Sequence, residues 1–251
     1  MSITIYVVSA VLVFIFSGLL AMAGLGAAFL FVPLFYYLGV PLAEATPTAL
    51  LLNVVSLMFA TINYWRGKLI NWRVGVPVLI AAVILSPIGA LMTQYVNKTV
   101  LLAMFSAFLV FAGAMMLFYK PKKREQPLSR TVEIGAGSGV GTVAGFLGGL
   151  LGVGGGNFIL PVLNWIGLEA KVAVGTTALV VVFSSLSGFL AHATISGLDP
   201  WFVGIMAVMA AAGSIVGSQL MKTKISSAQL KRIIGNLLWL IAAKRIWGLV
   251  R

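Results

Sequence analysis

The amino-acid sequence predicts an all-α polytopic membrane protein of two inverted repeats, about five segments each, with short glycine-interrupted half-helices near the membrane midplane. Three observations lead there. The 251 residues are 61% hydrophobic and 9% charged, with a mean hydropathy of +1.09, beyond what a soluble domain of this length shows. Apolar runs of about twenty residues recur from end to end, the length a spanning helix needs, and not the ten-residue alternating strands of an outer-membrane barrel. The chain is also duplicated. A shift of 128 positions superposes Gly24 on Gly152, Gly26 on Gly154, Pro33 on Pro161, Gly39 on Gly167, Ala45 on Ala173, Thr48 on Thr176 and Ser56 on Ser184.

The first run, 3–23, has no basic residues ahead of it and no small-residue cleavage pattern behind it, so it is expected to stay as the first helix. Runs at 46–65, 73–94 and 99–119 complete the long segments of the first repeat, and 132–151, 173–195, 201–221 and 229–250 those of the second. The runs at 27–38 and 157–167 are different. At about 1.5 Å per residue they reach about 17 Å, little more than half of a hydrocarbon core of about 30 Å, and read as half-helices or re-entrant legs. Residues 120–131 hold Lys120, Lys122, Lys123, Arg124 and Arg130 with Pro121 and Pro127, the composition of a solvated linker. The expected divisions are a first repeat over 1–119, a linker over 120–131 and a second repeat over 132–251, integrated in one membrane domain.

Charge orients these segments. The formal net charge is +12, but the Lys and Arg residues gather in short loops without a nucleic-acid-binding fold around them, so no nucleic-acid partner is expected. Arg66, Lys68 and Arg73, the linker, and Lys222, Lys224, Lys231 and Arg232 mark three cytoplasmic loops. The stretch Thr194 to Pro200, equivalent by duplication to the first of these, has no Lys or Arg and should face outside. Equivalent loops on opposite sides imply inverted repeats with the N-terminus outside. The tail with Lys244, Arg245 and Arg251 runs against this scheme, and three internal loops outweigh it. Cysteine is absent, which excludes disulfides and thiolate chemistry.

The glycine breaks are where function is expected. Gly152-Val153-Gly154-Gly155-Gly156-Asn157 cannot hold a straight helix, because each glycine costs about 1 kcal/mol against alanine. Opened backbone at membrane depth is tolerated only when buried in protein or lining a cavity. The helix ends near Ala27 and Gly156 would then aim free amides and positive dipole ends at a shared centre, where an anion could sit. Close helix packing is the competing explanation of the glycines. Inverted repeats with interrupted short segments at matching positions are the pattern of a secondary transporter with its site at the midplane.

The run Gly152-Val153-Gly154-Gly155-Gly156-Asn157-Phe158-Ile159-Leu160-Pro161-Val162-Leu163, followed by Gly167 and Ala173-Val174-Gly175-Thr176-Thr177-Ala178, resembles the signature of the TauE/SafE sulfite exporter family of membrane permeases. Gly24-Leu25-Gly26 through Pro33 to Ala45-Thr46-Pro47-Thr48 is a similar first-half copy. The resemblance implies transport of sulfite or organosulfonates, with some members linked to uptake of compounds such as 4-toluene sulfonate. Ala27 and Ala28 stand where the second half has Gly155 and Gly156, so the two breaks should contribute unequally.

Polar residues on the segments after each break extend the candidate site: Thr48, Asn53 and Ser56 in the first half, Thr176, Thr177, Ser184, Ser185 and Ser187 in the second. They can donate to the oxygens of an anion, or satisfy helix backbones and neighbouring helices instead. Glu44, Glu169, Arg66 and His192 are the ionisable residues nearest membrane depth, and His192 is either a proton-coupling group or an interfacial residue. One histidine and no cysteine leave no histidine metal site, and no paired acids within the segments suggest an enzyme.

The sequence thus points to a multi-pass permease of a cell membrane, of the prokaryotic inner-membrane type, moving a small anion by alternating access. An anion channel built on the same half-helices is the alternative. The expected substrate-binding set is Gly24, Gly26, Ala27, Ala28, Thr48, Asn53, Gly154, Gly155, Gly156, Asn157, Thr176 and Thr177. No cofactor is expected; a proton or other ion is the candidate coupling partner.

Overall fold

In the computed structural model, the structure describes residues 3–37, 40, 42–92, 95, 130–151, 154–191 and 200–226, with scattered positions over 110–118 and 228–243. Among these, eight helices are delimited: α1 (Ile3–Ala23), α2 (Ala28–Tyr37), α3 (Leu42–Arg66), α4 (Trp72–Met92), α5 (Arg130–Leu151), α6 (Gly156–Trp165), α7 (Ala170–Ala191) and α8 (Pro200–Thr223). No strand occurs among the described residues. Five of the helices, α1, α3, α4, α7 and α8, are long and apolar enough to cross a membrane. The two short runs are helices of 10 residues each. Helix α5 starts at Arg130, two residues inside the expected linker. The runs at 99–119 and 229–250 fall largely outside the described residues. Where described they are helical and touch: Trp239 Nε1 donates to the Val110 carbonyl at 3.2 Å.

Small residues decide which faces meet. Gly137, Gly141, Gly145 and Gly149 of α5 recur every fourth residue and lie on Val74, Val78, Ala82 and Ser86 of α4, spaced alike. A Cβ on Gly145 would fall 2.5 Å from the Ala82 carbonyl oxygen, so only glycine permits this approach. The opposite face of α4, Val76, Ile80, Ile84 and Ile88, is exposed, as suits acyl chains. Gly18 of α1 meets Gly213 and Gly217 of α8 in the same manner.

The main contacts between long helices recur when the halves are exchanged. Helix α1 packs on α8 as α5 packs on α4, α3 packs on α8 as α7 packs on α4, and α3 and α7 meet each other. Contact registers give the directions. Val74 to Ser86 follow Gly137 to Gly149 in step, so α4 and α5 run parallel. Helices α1 and α8 are parallel, with Tyr6 on Phe202 and Gly18 beside Gly217. Helices α3 and α8 are parallel, with Asn63 on Ser218 and Gly67 beside Lys222. Helices α4 and α7 are parallel, with Gly75 beside Thr176 and Ser86 on Ser184. Helices α3 and α7 are antiparallel, with Tyr64 beside Gly175 and Asn53 on Ser185.

One end of the bundle therefore collects Arg66, Lys68, Arg73, Lys171, Lys222 and Lys224. Lys171 Nζ donates to the Lys222 carbonyl there at 3.3 Å, and the Lys222 side chain lies against Gly67. Trp65, Trp72 and Trp165 are exposed at this end and Trp201 at the other, positions that suit interfacial anchors. The α1 N-terminus, by Phe202, is away from the basic end.

Candidate functional site

The first break forms because α1 ends on a left-handed glycine, and left-handed glycines also precede α6 at the second. At Ala23, α1 closes by a Leu25 N–H bond to the Leu20 carbonyl (3.2 Å) and a Gly24 N–H bond to the Ala21 carbonyl (2.9 Å), with Gly24 at φ 66°. This is the glycine C-cap that satisfies end carbonyls. Gly26, at φ 74°, then turns the chain into α2. Its repeat-equivalent, Gly154, has φ 76°, and Gly155 has φ 75°. Gly152 and Val153 lie outside the described residues.

The start of α2 is capped by a side chain from elsewhere. Asn53, fully buried in mid-α3, accepts the Ala27 N–H on Oδ1 at 2.7 Å. Its Nδ2 donates to Ser185 Oγ of α7 at 2.8 Å. One carboxamide thus joins the first break to the second half. The start of α6 has no such cap: its N-cap is Gly155, and no side chain bonds there. Ser184 Oγ donates to the Gly154 carbonyl at 3.0 Å, holding that break against α7.

The breaks touch each other. A Cβ on Gly156 would meet the Leu25 carbonyl oxygen at 2.5 Å, and one on Gly154 would meet Ser185 Oγ at 2.5 Å and Asn53 Nδ2 at 2.9 Å. The fold therefore gathers Gly26, Ala27, Asn53, Gly154 and Gly156 at one buried centre, with Ala28 opening α2 beside them. Gly24 sits against Val174, and Gly155 backs onto the Ala144 carbonyl of α5.

The expected hydroxyls separate. Thr176 lies at the basic end, its Oγ1 accepting the Asn71 N–H at 2.9 Å. Asn71 in turn caps α4 through bonds from the Arg73 and Val74 amides. Thr48 is buried and engaged. Thr177 is fully buried and its hydroxyl finds no partner. Asn157, the second residue of α6, is also fully buried, and both carboxamide atoms lack partners. Such buried polar atoms are rare in native proteins and call for an explanation. Arg66 and Glu169 are exposed, while His192 and the Glu44 side chain lie outside what the structure describes. No cluster of metal-ligating side chains occurs among the described residues.

Sequence spacing did not single out Ser185 above the other hydroxyls, because its equivalent in the first half is Leu57 and the duplication gives no hint of it. Asn71 was missed as well, although an Asn just before an apolar run is a helix-start signal.

Residues 9–245 match the family model described as Sulfite exporter TauE/SafE. The chain is 26% identical over 214 residues to a probable membrane transporter protein, YunE, of Bacillus subtilis, covering 75% of this chain and 78% of the relative. It is 27% identical over 192 residues to a probable membrane transporter protein of Methanocaldococcus jannaschii, covering 72% and 70%. An Arabidopsis thaliana protein named Sulfite exporter TauE/SafE family protein 1 is 24% identical over 181 residues, covering 70% of this chain and 38% of the relative. No solved structure matches. With nearly its whole length matched and its glycine breaks inside a bundle of spanning helices, the chain belongs to the TauE/SafE sulfite exporter family and is a multi-pass membrane transporter.

Proposed function

We propose that this transporter is a permease for a small anion, sulfite or an organosulfonate, working by alternating access between two inverted repeats. The observation that carries the reading is the meeting of the two half-helix starts, α2 and α6, at a buried centre. Helix starts expose amides and about half a positive charge each, so they attract an anion without a buried Lys or Arg. Helices α1, α3 and α4 run opposite to their repeat equivalents α5, α7 and α8, respectively, the relation that lets one repeat rock against the other around a fixed site. The sulfur chemistry rests on family membership. An anion channel would use the same helix starts. The complete burial of Asn53, Asn157 and Thr177 supports an occluding carrier over an open pore. Purified protein in liposomes tests this: a carrier gives saturable sulfite flux and counterflow, whereas a pore passes anion current with neither.

A further inference from the structure

The two helix starts are chemically unlike. In the first half Asn53 already occupies the Ala27 amide, and the positions equivalent to Asn157, Thr177 and Ser185 are Phe29, Ala49 and Leu57. In the second half the α6 start is uncapped, and Asn157 and Thr177 hold three polar atoms that are buried without partners. Helix side chains lean toward the N-terminus, so Asn157 leans toward the open end of α6. Gly156 touches Val181 of α7. Thr177 lies one turn before Val181 on the α7 stripe that faces the breaks, in the direction α6 runs.

Resting on the permease reading above, we infer that the substrate is held asymmetrically, at the start of α6 by Asn157, and that it is an oxyanion carrying an O–H or N–H donor of its own. The donor follows from the carboxamide. Backbone amides and Asn157 Nδ2 can serve anionic oxygens, but Asn157 Oδ1 is an acceptor that an aprotic anion would leave unpaired. A protonated oxyanion such as hydrogensulfite, or a hydroxylated sulfonate, satisfies both atoms. The first break, closed by Asn53, then acts as the wall of the site.

The test compares 2-hydroxyethanesulfonate with propane-1-sulfonate, two monoanions of matching shape that differ by one hydroxyl, in binding to the purified full-length protein. Wild type should prefer the hydroxylated ligand by about tenfold or more in Kd, the size of effect a buried unpaired acceptor produces. Asn157→Leu should bring the ratio to about one while the thermal midpoint holds or rises, because it removes an unsatisfied buried amide. A structural role for Asn157 would lower the midpoint and keep the ratio. Equal binding of both sulfonates by wild type overturns the inference, without any variant having to fold, and leaves the permease reading standing. Preserved preference in Asn157→Leu, or in Asn157→Ala should the first variant misfold, also overturns it. Failure of wild type to bind either sulfonate or sulfite overturns the permease reading and this inference with it.

Discussion

Asn53 in α3 and Ser185 in α7 are joined by a 2.8 Å hydrogen bond that crosses from one half of the chain to the other. The same carboxamide holds the Ala27 amide at the start of α2. Asn53→Ala removes both bonds and leaves a buried N–H and a buried hydroxyl unsatisfied, at a cost of about 2–4 kcal/mol. Ser185→Ala strands only one N–H of the amide and should cost about 1–2 kcal/mol. Thermal unfolding in detergent should rank the two variants in that order.

The left-handed glycines should tolerate no side chain. Gly26→Ala and Gly154→Ala each combine positive φ with collision against Asn53 or Ser185, and each should lose folded protein and transport together. Gly204, which has open space at its Cβ position, is the control. Gly204→Ala should leave both unchanged, as size-exclusion profiles and flux would show.

The two short helices and the places where they start were legible in the sequence, because glycine and proline punctuate an apolar chain at matching offsets. Packing partners were not. That α5 would lie along α4 rests on Gly137, Gly141, Gly145 and Gly149 finding Val74, Val78, Ala82 and Ser86, a match between stripes far apart in sequence. Thr176 shows the limit in the site itself. The duplication pairs it with Thr48 and suggests a ligand donor, yet its hydroxyl serves the Asn71 amide at the basic end. Nothing in its neighbours distinguishes it from Thr177, one residue on, whose hydroxyl has no partner.

Sidedness follows from the basic end. Lys68→Cys, Lys171→Cys and Lys222→Cys should all be labelled from the cytoplasm, and Ser196→Cys from outside. The absence of native cysteine makes single-cysteine labelling direct. Labelling of Ser196→Cys and Lys68→Cys from one side would contradict inverted repeats.

Charge selectivity should depend on pH through the substrate. The α6 start, with the capped α2 start behind it, presents at most about one positive charge, which suits a monoanion and leaves a dianion under-compensated for its lost solvation. Sulfite flux at fixed proton gradient and membrane potential should therefore rise as pH falls and the monoanion fraction grows. Flux of a permanently monoanionic alkylsulfonate should change less. Sulfite flux that tracked the dianion would require a buried cation or a coupled ion.

Substrate bound where the two breaks meet would shield a cysteine placed there from labelling. Ser185→Cys lies at the junction of Asn53 and Gly154, whereas Ser214→Cys lies between α3 and α8 against the Ser56 carbonyl. Each is labelled in proteoliposomes with a small thiol reagent, with and without saturating 2-hydroxyethanesulfonate, which does not itself consume the reagent. The sulfonate should slow labelling of Ser185→Cys severalfold and leave Ser214→Cys unaffected. Equal labelling rates at Ser185→Cys with and without a sulfonate that the protein demonstrably transports would contradict substrate binding at the breaks.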